Sequence, residues 1–123
     1  MQLNHLNLSV KDVPATRTLF ETYFGFTCND PKLNDTLSVL NGSDGFILVL
    51  MNQRMNEHGN HTYPDTFHIG FYLEDETAVK NMWEQLKNGG IEPEQAPQIM
   101  RKTFGFYFSF DTFMVEVTTP IKA

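Results

Sequence analysis

The chain has 123 residues, 41% of them hydrophobic with 11 phenylalanines, and a net charge of −6. That is enough apolar material for one self-supporting core, which excludes a disordered chain or a scaffold dependent on staples. The acidic balance excludes nonspecific nucleic-acid binding, and the single cysteine, Cys28, excludes an internal disulfide.

Residues 3–10 alternate as a strand does. Leu6, Leu8 and Val10 form an apolar face, while His5, Asn7 and Ser9 form a polar one. Such a polar face either meets solvent or lines a cavity. Asp12 and Pro14 signal a helix start, Leu19, Phe20, Tyr23 and Phe24 fall at helical spacing, and Gly25 stops the run. Short strands are predicted at 26–29 and 36–40. After the loop Asn41-Gly42-Ser43-Asp44-Gly45 comes a strand over 46–51 that is apolar on both faces, as in a strand covered on both sides.

Residues 52–66 are polar, with His58 and His61, and read as a linker whose histidines are solvated. A second strand over 67–73 puts His68, Gly70 and Tyr72 on one face. Asp75 and Glu76 cap a helix carrying Val79, Met82, Trp83 and Leu86, which Gly89-Gly90 ends. A short strand is predicted at 91–94 and a loop at 95–101. A hairpin of 102–110 with 113–119, turned at Asp111-Thr112, completes the chain.

Each half therefore reads βαβββ and opens on a histidine, a duplication that points to a site shared between the halves. The expected fold is α+β, one domain over 1–123. Module one spans 1–51, the linker 52–66 and module two 67–123. Glu116 lies among Met114, Thr118 and the apolar Phe113, Val115 and Val117, with no Lys or Arg in its strand. A carboxylate in such a setting needs a cation or several donors. Taken singly, either histidine is an ordinary strand residue. Together His5, His68 and Glu116 make the two-histidine, one-carboxylate set that suits a divalent first-row metal with open positions.

The stretches Leu3–Val10, Asp12-Val13-Pro14-Ala15, Tyr23-Phe24-Gly25-Phe26, Thr66-Phe67-His68-Ile69 and Phe110–Val117 resemble the vicinal oxygen chelate superfamily. That group includes glyoxalase I, fosfomycin-resistance proteins, extradiol dioxygenases and bleomycin-resistance proteins. The resemblance covers nearly the whole chain. It implies two βαβββ modules forming a pseudo-symmetric curved mixed sheet around a central cavity. It also implies His5, His68 and Glu116 as ligands of Mn, Fe or Zn, on the first, fifth and eighth strands.

Two departures stand out. The fourth ligand position of glyoxalase I matches Val49, and the turn before the last strand, Asp-Pro-Asp-Gly in the family, reads Ser109-Phe110-Asp111-Thr112. The resulting expectation is a metal-dependent enzyme chelating two adjacent oxygens of a small substrate, with Asn7 and Tyr72 as substrate contacts and no general base assigned. The alternative is a bleomycin-resistance-like protein that sequesters a drug in a dimer groove without turnover. A homodimer is expected in either case, with the apolar 46–51 strand facing the partner. No membrane span and no secretory leader are visible in the sequence, so the expected location is cytoplasmic.

Overall fold

The computed structural model describes residues 1–59 and 62–121. The chain forms two compact units, Met1–Thr62 and Tyr63–Ala123.

The first unit runs β1 (His5–Val10), α1 (Val13–Tyr23), β2 (Leu37–Asn41), β3 (Ile47–Asn52) and a 3-10 turn at Gln53–Met55. The Asp12 side chain accepts from the Ala15 amide at 3.0 Å, capping α1 as the sequence predicts. Past the helix, Gly25 takes φ 73. Leu8, Val10, Leu40, Leu48 and Leu50 on the sheet and Val13, Leu19 and Phe20 on the helix are fully or nearly fully buried and form the core. The sheet order is β1-β3-β2, with β1 parallel to β3 and β2 antiparallel to it.

Two expectations for this unit change. The predicted 26–29 strand is reduced to a single bridge, Thr27 with Asn41. The segment that follows is tied to α1, where the Arg17 guanidinium donates to the carbonyls of Lys32 (2.9 Å) and Asp30 (3.0 Å). Nor is β3 covered on both sides. Leu48 and Leu50 are buried, whereas Ile47 is 37% exposed, beside Leu37 and Val39 of β2 at 38% and 43%. This face of the sheet also carries His5, Asn7 and Ser9, since residues sharing a pleat alternate by two.

The second unit runs β4 (His68–Tyr72), α2 (Glu76–Asn88), β5 (Gln98–Met100), β6 (Thr103–Phe110) and β7 (Phe113–Pro120). Asp75 caps α2 by accepting from Ala78 at 2.8 Å, and Gly89 and Gly90 close it through amide bonds to Gln85, Leu86 and Lys87 carbonyls. Val79, Met82 and Leu86 pack against Phe104, Phe106, Phe108, Val115 and Val117. The order is β4-β7-β6-β5, again with the first strand parallel to the last.

The expected strand at 91–94 does not form, and the expected loop at 95–101 contains β5 instead. The Ile91 amide donates to the Leu86 carbonyl at 2.9 Å and the Trp83 indole to the Gln95 carbonyl at 3.1 Å. Both bonds spend this segment on the end of α2, so pairing with β6 begins only at Gln98. The hairpin turned at Asp111-Thr112 forms as predicted.

The fold is α+β: among the described residues two α-helices and seven strands in two mixed sheets, one strand fewer than expected. In the expected linker, His58 is exposed, and the reading of His61 falls outside the described residues. Among the described residues no helix is long and apolar enough to cross a membrane.

One glycine is indispensable. A Cβ on Gly105 would lie 2.0 Å from the Val117 carbonyl oxygen and 2.7 Å from Thr118 Cγ2. Only hydrogen fits there while β6 keeps this register with β7.

Candidate functional site

The second unit brings two of the expected ligands together. Register places Gly70 of β4 and Tyr107 of β6 on either side of Glu116 in β7. His68 is two residues before Gly70, so its side chain leaves the sheet on the same face. Its ring meets Tyr107 edge-on, with centroids 5.3 Å apart and planes at 85°. His68, Tyr72, Tyr107 and Glu116 line an open concavity of about 690 Å³, together with Met100, Arg101, Lys102 and Thr103.

Gly70 packs beside Glu116, where even a Cβ would come only to ordinary contact, 3.4 Å from its Oε1. A hydrogen bond to Glu116, then burial and the carboxylate's charge, hold the Tyr107 phenol above its ordinary value of 10, while the charge of Arg101 works the other way. Glu116 and Tyr107 are both half-buried, so the pair meets solvent from inside the concavity.

His5 and Asn7 belong to the first unit, on the open face of β1 with Ser9. Each histidine is oriented locally. Nδ1 of His5 lies 2.7 Å from Asn4 Oδ1, and Nδ1 of His68 lies 2.9 Å from the Thr66 carbonyl oxygen. Both partners are acceptors, so in each neutral ring Nδ1 carries the proton and Nε2 presents a bare lone pair.

Among the described residues, no group of three or more His, Cys, Asp or Glu forms a ready metal cluster. The expected set draws on both units, His5 from one and His68 with Glu116 from the other. The first unit's own concavity, about 350 Å³ between the 28–30 segment and β2, contains none of the expected site residues.

The sequence offers Tyr107, Arg101 and Lys102 as available side chains without assigning them to the site. For Tyr107 a signal existed: Phe104, Phe106, Phe108 and Phe110 alternate, which puts Tyr107 on the opposite, polar face. A two-residue turn at Asp111-Thr112 then pairs it with Glu116.

A strand-helix-strand unit with its first strand parallel to its last, present twice and opening each time on a histidine, defines a glyoxalase-type fold. The model of the Glyoxalase/Bleomycin resistance protein/Dioxygenase superfamily matches residues 2–119, and the chain belongs to that superfamily. Among solved structures, a possible glyoxalase from Bacillus cereus is 38% identical over 95% of this chain and 97% of its own, with a TM-score of 0.77. A lactoylglutathione lyase from Agrobacterium tumefaciens shares the fold at 18% identity and TM-score 0.72, covering 96% of this chain and 92% of its own. A glyoxalase/dioxygenase from Nostoc punctiforme does so at 19% and 0.73, covering 98% and 92%. No curated protein matches the chain.

Proposed function

We propose that the protein is a metal-dependent enzyme that acts on a small substrate through two adjacent oxygen atoms. His5 and His68 through Nε2, with the Glu116 carboxylate, would hold one divalent ion, Mn, Fe or Zn. The observation that carries this reading is the engagement of both Nδ1 atoms by oxygen acceptors, at 2.7 and 2.9 Å. Ligating histidines characteristically donate their second ring N–H in this way, which fixes the tautomer and raises the basicity of the ligating nitrogen.

When bound, the ion supplies Lewis-acid polarisation of the substrate oxygens. The chain's own residues supply the rest. The Tyr107 hydroxyl is hydrogen-bonded to Glu116, and both line the concavity. Tyr72, exposed at the rim, and Asn7, exposed on β1, are the substrate contacts.

A drug-sequestering role without turnover needs neither the second histidine nor the carboxylate. The two roles separate on titration of metal-stripped wild-type and His68→Ala protein with Mn, Fe and Zn. Loss of affinity by more than about 100-fold in the variant supports the metal site, since losing a mere hydrogen-bond partner of a ligand costs 10–100-fold. Equal, weak binding by both proteins overturns it. The exposed apolar residues Leu37, Val39 and Ile47 further support a homodimer, which sedimentation showing only the 14.2 kDa species at micromolar concentration would rule out.

A further inference from the structure

We propose that the outer edge of β2 holds a separate small-molecule site, which takes a neutral ligand carrying a single acylated amino-acid unit, HN–C–C=O. The site lies in the first unit, and its concavity contains none of His5, His68 or Glu116.

β2 is the edge strand of its sheet and pairs with β3 on one side. In an antiparallel pair, residues alternate between bonding the neighbouring strand and turning N–H and C=O away from it. Both ends of β2 fix that alternation. The Asn52 amide donates to the Thr36 carbonyl at 2.8 Å, and the Gly42 amide to the Phe46 carbonyl at 2.7 Å. Even-numbered positions therefore bond β3, and Leu37, Val39 and Asn41 turn their N–H and C=O outward. Asn41 exchanges both bonds with Thr27, at 3.0 and 2.7 Å, and the Leu37 amide donates to Asn34 Oδ1 at 3.2 Å. Between them stands Val39, whose N–H and C=O meet no protein partner among the described residues. The bridge from Thr27 stops at that one pair, so Asn29, two residues on, does not bond Val39.

This edge opens into the concavity of about 350 Å³ lined by Cys28, Asn29, Asn34, Ser38, Val39 and Asn41. Ser38 is 3% exposed, and its hydroxyl is buried with no hydrogen-bond partner. Buried hydroxyls ordinarily have one, so this wall holds polar capacity that the fold itself does not use. Length, charge and pattern then define the ligand. Thr27 at one end and Asn34 at the other leave room for one residue, which excludes an added strand. Asp30 is the one charged group among the lining residues, so an anion is repelled. What remains is a neutral unit whose N–H and C=O repeat at Val39 the two bonds that Thr27 makes at Asn41. The Val39 side chain leaves the open face of the sheet, whereas its N–H and C=O lie in the sheet's plane. The site is therefore separate from the apolar face that Leu37, Val39 and Ile47 present.

The test titrates N-acetyl-L-alaninamide into the isotope-labelled protein and follows backbone amide NMR shifts. N-acetyl-L-prolinamide, which lacks the N–H of the pairing residue, is the control. The expected result is saturable movement of the Val39 amide with a Kd at or below about 10 mM. The prolinamide should bind about fivefold more weakly, the loss of one hydrogen bond. Val39→Pro deletes the outward donor and leaves the bonds to β3 in place, as proline on a sheet edge does. It should weaken N-acetyl-L-alaninamide by a similar factor. Where that variant does not fold, the two ligands on the wild type decide by themselves. No saturable shift, saturation that leaves the Val39 amide unmoved, equal affinity for the two ligands, or unchanged affinity in folded Val39→Pro overturns the proposal.

Discussion

The two units use the same strand plan to different ends, and their registers allow a position-by-position comparison. In the first, β1 pairs in parallel with β3, which sets Asn7 against Val49, with Val39 across on β2. In the second, β4 pairs in parallel with β7, which sets Gly70 against Glu116, with Tyr107 across on β6. The same offsets align His5 with His68 and Leu37 with Gly105. One unit thus keeps its histidine on an open apolar face, and the other builds a carboxylate, a phenol and a pocket around the equivalent histidine. A repeated backbone provides the positions, and the side chains at Val49 and Glu116 decide which half is polar.

The widest gap between the units is at Leu37 and Gly105. Leu37 stands 38% exposed, whereas any side chain on Gly105 strikes the Val117 carbonyl. Gly105→Ala should cost about 3 kcal/mol, at the top of the usual range for overpacking. Leu37→Ala should change stability by less than about 0.5 kcal/mol, as at other surface positions. Urea unfolding of both variants checks this, and equal midpoints would mean the β6–β7 contact relaxes freely.

Moving the carboxylate is the next test. Glu116→Gln should lower metal affinity by about 100-fold, roughly 2.7 kcal/mol. Val49→Glu in the wild-type background should add a donor and raise affinity. If Val49→Glu leaves metal binding unchanged in calorimetry, the two positions are not equivalent with respect to the site.

The histidines differ in what holds them. His5 depends on the Asn4 side chain and His68 on a backbone carbonyl. Asn4→Ala should therefore reduce metal affinity by about tenfold, and Asn4→Asp, which keeps an acceptor, should restore it. Imidazole nitrogen shifts in the metal-free protein provide a second readout. His5 should lose its Nδ1–H preference in Asn4→Ala while His68 retains its own.

The smallest effect concerns Tyr107. Its phenol holds its proton above the ordinary value of 10, chiefly through Glu116. A folded value above the unfolded one contributes stability that is present below pH 10 and lost as pH rises through the folded value. Absorbance titration should show one tyrosine ionising late in the wild type, and Glu116→Gln should bring it back toward 10. The residue aligned with it, Val39, offers no such titration.

Much of this was legible in the chain. Alternation revealed β1, β4, β6 and β7, because a period of two follows directly from the pleat. Asp12 and Asp75 with the glycines beyond each helix revealed α1 and α2, because capping acts within a few residues. The duplication and its two histidines were equally local. What only the tertiary structure decided lies where distant residues compete for the same backbone groups. Arg17 ties the carbonyls of Asp30 and Lys32 to α1, and of the expected strand before them only Thr27 bridges to Asn41. The end of α2 holds Ile91 and Gln95 and delays β5 to Gln98. The Arg101-Lys102 turn, set by where β5 begins, then carries two cations onto the wall beside Glu116. Local pattern determines an element's type, but its limits depend on hydrogen bonds to residues far along the chain, and those limits place the site's charges.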